Sequence, residues 1–122
     1  MAGSNVFQMS FAKVYGLLVD KAEKKGRTRT EVDAVTCWLT GYTPPELDSL
    51  LESAVTYGNF FLQAPHPNPD RASIRGVVCG VRVEDVADPL MREARYLDKL
   101  VDELAKGKPL EKVLRTMEGD GL

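Results

Sequence analysis

The last third of the chain constrains the fold most, because it carries the start and stop signals of two successive helices. Asp88 is placed to cap a helix whose first position, Pro89, needs no backbone N–H donor. Gly107 then supplies a left-handed stop, and Pro109 begins a second short helix. Apolar residues recur along the first of these helices at steps of three and four, which predicts one buried stripe: Leu90, Ala94, Leu97, Val101 and Leu104.

Three further helix starts precede this unit, each with a polar capping residue before the helix and a glycine after it. The predicted caps are Ser10, Thr30 and Thr43, and the predicted stops are Gly26, Gly41 and Gly58. The first of these helices is expected over residues 11–25. The third start is the clearest, because residues 43–46 combine a threonine, two prolines and a glutamate in the order of a capping box.

The middle of the chain is harder to assign. Residues 64–70 contain three prolines, which predicts an ordered surface loop or a hinge. Residues 73–86 fit a helix by the spacing of their apolar residues and fit a strand by their alternation and β-branching. Apart from residues 6–9, no second strand is evident to pair with. We therefore expect a short helix near residues 74–80, then a turn and a shorter helical segment before Asp88.

Length and composition favour a single domain. The 122 residues are 43% hydrophobic, which is ample for one core. We expect an all-α bundle of roughly five to seven short helices, with room for a minor short β pairing. Residues 1–9 are interpreted as a flexible leader, in which Val6, Phe7 and Met9 are apolar enough to dock on the core, and residues 118–122 as a flexible tail.

Localisation is expected to be cytoplasmic. Residues 1–10 lack the charged and apolar regions of a signal peptide, and no stretch approaches the roughly twenty apolar residues that span a bilayer. Cys37 and Cys79 lie in apolar surroundings, which favours buried reduced thiols, with one disulfide as the alternative.

Several functional classes are disfavoured by composition. Sixteen basic against eighteen acidic residues give a net charge of -2, which makes nucleic-acid binding unlikely. With His66 as the single histidine and no C-x-x-C motif, no metal site is predicted. No cofactor and no catalytic residue are predicted either. His66 and the polar group Arg82, Glu84, Asp85, Arg92, Glu93, Arg95 and Tyr96 are interpreted as surface residues rather than as acid–base machinery.

Two candidate sites follow from the residues. The first is an anion-binding or nucleotide-binding site, with or without an enzymatic activity, on the basic turn defined by residues 24–30. Its residues precede or begin a helix, where exposed amides and the helix dipole favour anions, although a helix end charged for solubility and followed by a capped turn is the favoured explanation: Lys24, Lys25, Arg27, Arg29 and Thr30.

The second candidate site is an interface on the last two helices, since both are amphipathic and the first is long enough to extend beyond a small core. The residues expected to meet a second copy of the chain, or an unknown protein partner, are Leu90, Met91, Leu97, Leu110, Val113 and Leu114. We expect an interaction or oligomerisation module, with the anion-binding protein as the alternative.

Three segments of the chain closely resemble a known bacterial family. They are FAKVY, KAEKKGRTRTEVDAVTCWLTGY and RVEDVADPLMREARYLDKLVDELAKGKPLEKVLR, in order over residues 7–115. The family is the domain of unknown function number 2200. The resemblance implies a compact, mainly helical bacterial protein of this size. It implies no catalytic residues, so no site is transferred from it.

Overall fold

Six α-helices and one small β-hairpin make up the regular structure of the described part of the chain. The computed structural model describes residues 6–78 and 80–114. The helices are α1 Phe11–Glu23, α2 Arg29–Thr40, α3 Pro44–Leu51, α4 Tyr57–Leu62, α5 Pro89–Ala105 and α6 Leu110–Val113. Strands β1 Val77–Val78 and β2 Val81–Arg82 pair antiparallel, and 3-10 turns occupy Val6–Gln8, Pro69–Ser73 and Val83–Asp85. The predicted mainly helical single domain is confirmed.

Helix α5 is the centre of the fold, because it packs against α1, α2, α4 and the hairpin. Its predicted stripe is confirmed from Ala94 to Leu104, and Leu100 is buried beside it. Aromatic rings extend the core between α1 and α4, where Phe11 stacks on Phe60 with ring centroids 4.1 Å apart. Burial of such large apolar side chains contributes about 1.5–3 kcal/mol each, which makes this the main source of stability.

Most predicted helix starts are confirmed, but the cap of α2 is wrong. Ser10 and Thr43 cap α1 and α3, with Glu46 completing the capping box of α3. Helix α2 begins two residues earlier than predicted, because Thr28 and not Thr30 accepts a hydrogen bond from the N–H of Glu31. The Glu31 carboxylate in turn accepts one from the Thr28 N–H, so the signal is a threonine followed three residues later by glutamate.

The helix predicted near residues 74–80 is wrong, since residues 77–82, within the ambiguous segment 73–86, form the hairpin. Val77 pairs with Arg82 and Val78 with Val81, so the second strand lies within the same segment. The turn between the strands includes Gly80, whose φ of 77° lies in the left-handed region that two-residue hairpin turns require. The shorter helical segment expected before Asp88 is present as the 3-10 turn Val83–Asp85.

Residues 6–9 dock on the core of the domain. Val6, Phe7 and Met9 pack against the core, and the Met9 carbonyl accepts a hydrogen bond of 2.9 Å from the Tyr57 N–H. The docking that the sequence allowed for these three apolar residues is therefore present, and the flexibility of residues 1–9 stays a prediction. Residues 1–5, Cys79, Met117 and the tail 118–122 lie outside the described residues.

The proline-rich loop is attached to the end of α2. The backbone N–H of His66 donates to the Thr40 carbonyl at 3.1 Å, and that of Asn68 donates to the Leu39 carbonyl at 3.0 Å. Gly41 has a φ of 83°, and a Cβ at this position would lie 2.7 Å from the His66 backbone oxygen. Only glycine fits both the positive φ and the close approach of the loop at position 41. The two backbone hydrogen bonds anchor the loop, and His66 contributes to them through its backbone N–H.

Candidate functional site

The basic turn (residues 24–30) is built around an arginine that serves the fold. Arg27 Nη1 donates to the carbonyls of Leu104, at 2.9 Å, and Lys108, at 2.7 Å, at the end of α5. Its Nε and Nη2 donate to the two carboxylate oxygens of Glu31 at 3.0 and 2.7 Å. Hydrogen bonding to this guanidinium lowers the pKa of Glu31 to about 2. Four of the five N–H donors of the guanidinium are thus used within the chain.

The other residues of the basic turn do not converge on one ligand position. Arg29 forms ion pairs with Asp33, at 3.6 Å, and Asp48, at 3.2 Å. Thr30 is exposed within the first turn of α2. Lys24 and Lys25 are exposed at the end of α1, whereas the start of α2 is occupied by its own capping box. An anion site here stays a prediction, and the guanidinium of Arg27 is already bonded within the chain.

The polar group predicted to be surface is dispersed over separate partners. Glu84 accepts a hydrogen bond from the Gly76 N–H at 3.0 Å, and Arg92 donates to the Val86 carbonyl at 2.8 Å. Glu93 pairs with Arg71 at 3.0 Å. Arg92 and Glu93 hold neighbouring segments to α5, whereas Glu84 holds its 3-10 turn to the residue before β1, and the geometry gives them no shared reaction centre.

Two of the six predicted interface residues are unavailable to a partner. Leu97 and Val113 are fully buried in the core of the chain itself. The other four are half-buried: Leu90, Met91, Leu110 and Leu114. Leu90 lies beside Leu62, whose side chain is 71% exposed, and both line a surface groove of about 310 Å³ between α4 and α5. We call this groove the Leu62 groove.

The most site-like feature is a cavity that sequence reasoning did not find. It lies between α1, α4 and α5, and the 3-10 turn Val6–Gln8 contributes to its wall. Its volume is about 320 Å³. We call it the Tyr57 cavity, and it is lined by Val6, Val14, Tyr57, Met91, Ala94, Arg95 and Asp98.

Three polar side chains of the Tyr57 cavity give it chemical character. Arg95 Nη1 donates to Asp98 Oδ2 at 3.2 Å, while Arg95 Nε is buried and has no hydrogen-bond partner within residues 6–78 and 80–114. The Tyr57 hydroxyl is buried and also lacks a partner among these residues. The phenol is thus held close to an ion pair in a largely apolar setting.

Burial sets the protonation states in the Tyr57 cavity. It raises the pKa of the Tyr57 hydroxyl well above its usual range, and the nearby Asp98 charge acts in the same direction. The hydroxyl is therefore protonated at every physiological pH. Burial also raises the pKa of Asp98, although the charges of Arg95 and Lys21 partly offset this effect. The cavity consequently offers two hydrogen-bond donors beside a carboxyl group that accepts a proton more readily than usual.

Local sequence signals pointed away from the Tyr57 cavity. Arg95 and Asp98 are three residues apart on α5, which is the usual spacing of a surface ion pair. Tyr57 is distant from both in sequence and reaches them only through the packing of α4 on α5. A usable signal was the row Met91, Arg95, Asp98 and Asp102, whose steps of four and three place polar residues on one face next to the apolar stripe.

Within residues 6–78 and 80–114, none of the helices combines the length and the apolar character needed to cross a bilayer. In the same residues, no three side chains of histidine, cysteine, aspartate or glutamate come together as a set that could hold a metal ion. The thiol of Cys37 is free and half-buried, and burial raises its pKa.

Comparison with known proteins agrees with this architecture. A family model described as an uncharacterized protein conserved in bacteria (DUF2200) matches residues 5–115. The crystal structure of uncharacterized protein SP1917 is similar, with a TM-score of 0.88, 51% sequence identity and coverage of 90% of each chain. No curated protein matches the sequence significantly. The chain belongs to the DUF2200 family of uncharacterized proteins conserved in bacteria.

Proposed function

We propose that this protein binds a small molecule in the Tyr57 cavity. The observation that carries the proposal is the buried hydroxyl of Tyr57, a residue that lines the cavity; this hydroxyl has no hydrogen-bond partner among the described residues. A buried donor without a partner costs about 1–3 kcal/mol, and the great majority of buried polar groups are satisfied. Arg95, which lines the same cavity, has a second such donor in its buried Nε–H. One ligand that accepts from both removes both penalties.

The size and walls of the cavity support this proposal. About 320 Å³ lies at the small end of the range of roughly 300–1,000 Å³ that is usual for small-molecule sites. Val6, Val14, Met91 and Ala94 supply apolar contact, while the polar groups are few and grouped together. This combination is typical of a binding site in which apolar walls give affinity and a few polar groups set orientation.

Ligand-observed NMR with a fragment mixture tests the proposal, using the full chain and its Tyr57→Phe variant. The substitution removes the hydroxyl and keeps the ring, so fragments that bind the wild type are expected to bind the variant more weakly. Tyr42→Phe is the matched control, because the Tyr42 hydroxyl already donates to the Phe60 carbonyl at 2.8 Å. Fragments that bind all three proteins equally, or bind none of them, would contradict the proposal.

We also propose self-association through the Leu62 groove, as a second function that rests on a different observation. A leucine that is 71% exposed beside half-buried Leu90 leaves apolar surface to cover. The proposed occupant is a second copy of the chain, since a net charge of only -2 creates little repulsion between copies. Light scattering after size exclusion is expected to show a dimer that Leu62→Ser shifts to monomer. A wild-type species of 13.5 kDa at micromolar concentration would contradict self-association.

A further inference from the structure

The unpartnered polar atoms of the Tyr57 cavity share one property, which is that they donate. The Arg95 guanidinium carries only donors, of which the buried Nε–H has no partner among the described residues, and the Tyr57 phenol keeps its proton. The carboxylate of Asp98 is the acceptor in the lining, and it already receives a hydrogen bond from Arg95 Nη1. A ligand that completes this arrangement therefore presents an acceptor to the two donors and an apolar body to the walls.

Resting on the proposed function, we propose that the ligand is a small monocarboxylate with an apolar tail. Its carboxylate accepts hydrogen bonds from the Tyr57 hydroxyl and from Arg95 Nε, and its tail packs against Val14 and Met91. Two oxygens held by two donors, one of them charged, form stronger and more directional hydrogen bonds than one neutral carbonyl would.

The charges around the cavity decide how such an anion is tolerated. Helix α1 contributes Lys21, which pairs with Asp102 of α5 at 3.3 Å. Helix α4 contributes the neutral Tyr57, and α5 contributes Arg95 and Asp98, which pair with each other. Asp102 also pairs with Lys106, at 3.1 Å, whereas Arg95 and Asp98 leave no net charge on the cavity lining itself. An anion next to Asp98 is therefore accommodated when Asp98 takes up a proton, because two adjacent carboxylates in a partly buried site do not both stay ionised.

This proton uptake gives the site a signature in pH. Burial already raises the pKa of Asp98, so protonating it costs less than protonating an exposed aspartate. Binding of a monocarboxylate is expected to tighten as pH falls from 8 to about 6, with a limiting slope of about tenfold per pH unit for one proton. The Asp98→Asn variant carries no such proton, and its affinity is expected to be independent of pH over this interval.

The test uses three probes with the same four-carbon chain length on the full chain of the protein: butanoate, butanamide and butylamine. Binding is followed by chemical-shift changes in two-dimensional NMR spectra at pH 8, 7 and 6. Butanoate is expected to perturb resonances of Tyr57 and Arg95 and to bind at least about tenfold more tightly than butanamide. Butylamine is expected not to bind, since it offers donors where donors already stand. Tyr57→Phe is expected to weaken butanoate binding at each pH.

The outcomes separate this inference from the proposed function. Butanamide binding in the cavity as tightly as butanoate would overturn the monocarboxylate inference and leave the proposed function standing. So would butanoate binding that Asp98→Asn leaves with an unchanged pH dependence. If the Tyr57 and Arg95 resonances respond neither to the three probes nor to the fragment mixture, the proposed function fails together with the inference.

Discussion

Arg27 and Arg95 lie in two regions of the molecule that look alike in sequence and differ in structure. Each arginine precedes an acidic residue at helical spacing, and each pairs with it. Arg27 places its remaining donors on two carbonyls at the end of α5, whereas Arg95 keeps Nε without a partner among the described residues. In the first region the arginine joins the turn before α2 to the end of α5, and in the second a residue that lines a cavity keeps a buried donor unused. Whether the N–H groups of an arginine are hydrogen-bonded within the chain therefore distinguishes a structural arginine from a candidate binding residue.

The largest expected effect on stability comes from removing Arg27, whose donors are bonded within the chain. Arg27→Ala deletes four hydrogen bonds and leaves the carbonyls of Leu104 and Lys108 without this donor. Hydrogen bonds to charged groups contribute about 1.5–3 kcal/mol, so we expect a loss of about 3 kcal/mol in the free energy of unfolding. Urea denaturation measures it, with exposed Lys25→Ala as the control that is expected to change stability little. Equal effects of the two substitutions would remove the structural role of Arg27.

Unfolding at low pH tests the contribution of the Arg27–Glu31 ion pair. The pKa of Glu31 is about 2 in the folded protein, against 4.5 for an unperturbed glutamate, chiefly because Arg27 binds its carboxylate. A lowered folded pKa means that the stabilisation is complete above pH 4.5 and is lost as pH falls from 4.5 to about 2. Denaturation midpoints measured across this interval are expected to fall more steeply in the wild type than in Glu31→Gln. Parallel curves would show that this ion pair does not contribute.

Arg95 is expected to contribute less than Arg27 to the free energy of unfolding. Arg95→Met keeps the aliphatic contact and removes one hydrogen bond to Asp98, while relieving the buried Nε that has no partner. We expect a change of about 1 kcal/mol or less, well below that of Arg27→Ala. Urea denaturation of both variants at pH 7 gives the comparison directly. A loss at Arg95 that matches the loss at Arg27 would contradict the distinction between the two regions.

The smallest expected effect contrasts two tyrosines. Tyr42→Phe removes a hydrogen bond that is made, at 2.8 Å to the Phe60 carbonyl, and is expected to cost about 1 kcal/mol. Tyr57→Phe removes a hydroxyl that has no partner among the described residues and is expected to be neutral or slightly stabilising in the absence of ligand. Thermal unfolding without added ligand compares them. A larger loss at Tyr57 than at Tyr42 would mean that the Tyr57 hydroxyl is already satisfied.

Sequence reasoning succeeded where structure is determined locally. The capping box at Thr43 and the apolar stripe of α5 follow from residues within a few positions of each other, and both are confirmed. The hairpin was missed because β-branched residues fit two periods, and only the pairing of Val78 with Val81 decides between them.

The functional regions depend on contacts that no local pattern reveals. Arg27 reaches Leu104 across 77 positions of sequence, which turned a predicted anion ligand into a structural link. Tyr57 and Arg95 meet because α4 packs on α5, so their shared cavity was invisible to spacing along one helix. The sequence shows which side chains can donate hydrogen bonds, but it does not show which acceptor each donor meets in the folded chain.

The most direct test follows the Nε–H protons of the two arginines by NMR, in the full chain with and without butanoate. The Arg27 Nε–H, bonded to Glu31, is expected to exchange slowly with water in both conditions. The Arg95 Nε–H is expected to exchange rapidly in the free protein and to become protected as butanoate saturates the Tyr57 cavity. An Arg95 Nε–H that is already protected in the free protein, and that butanoate leaves unchanged, would contradict the account.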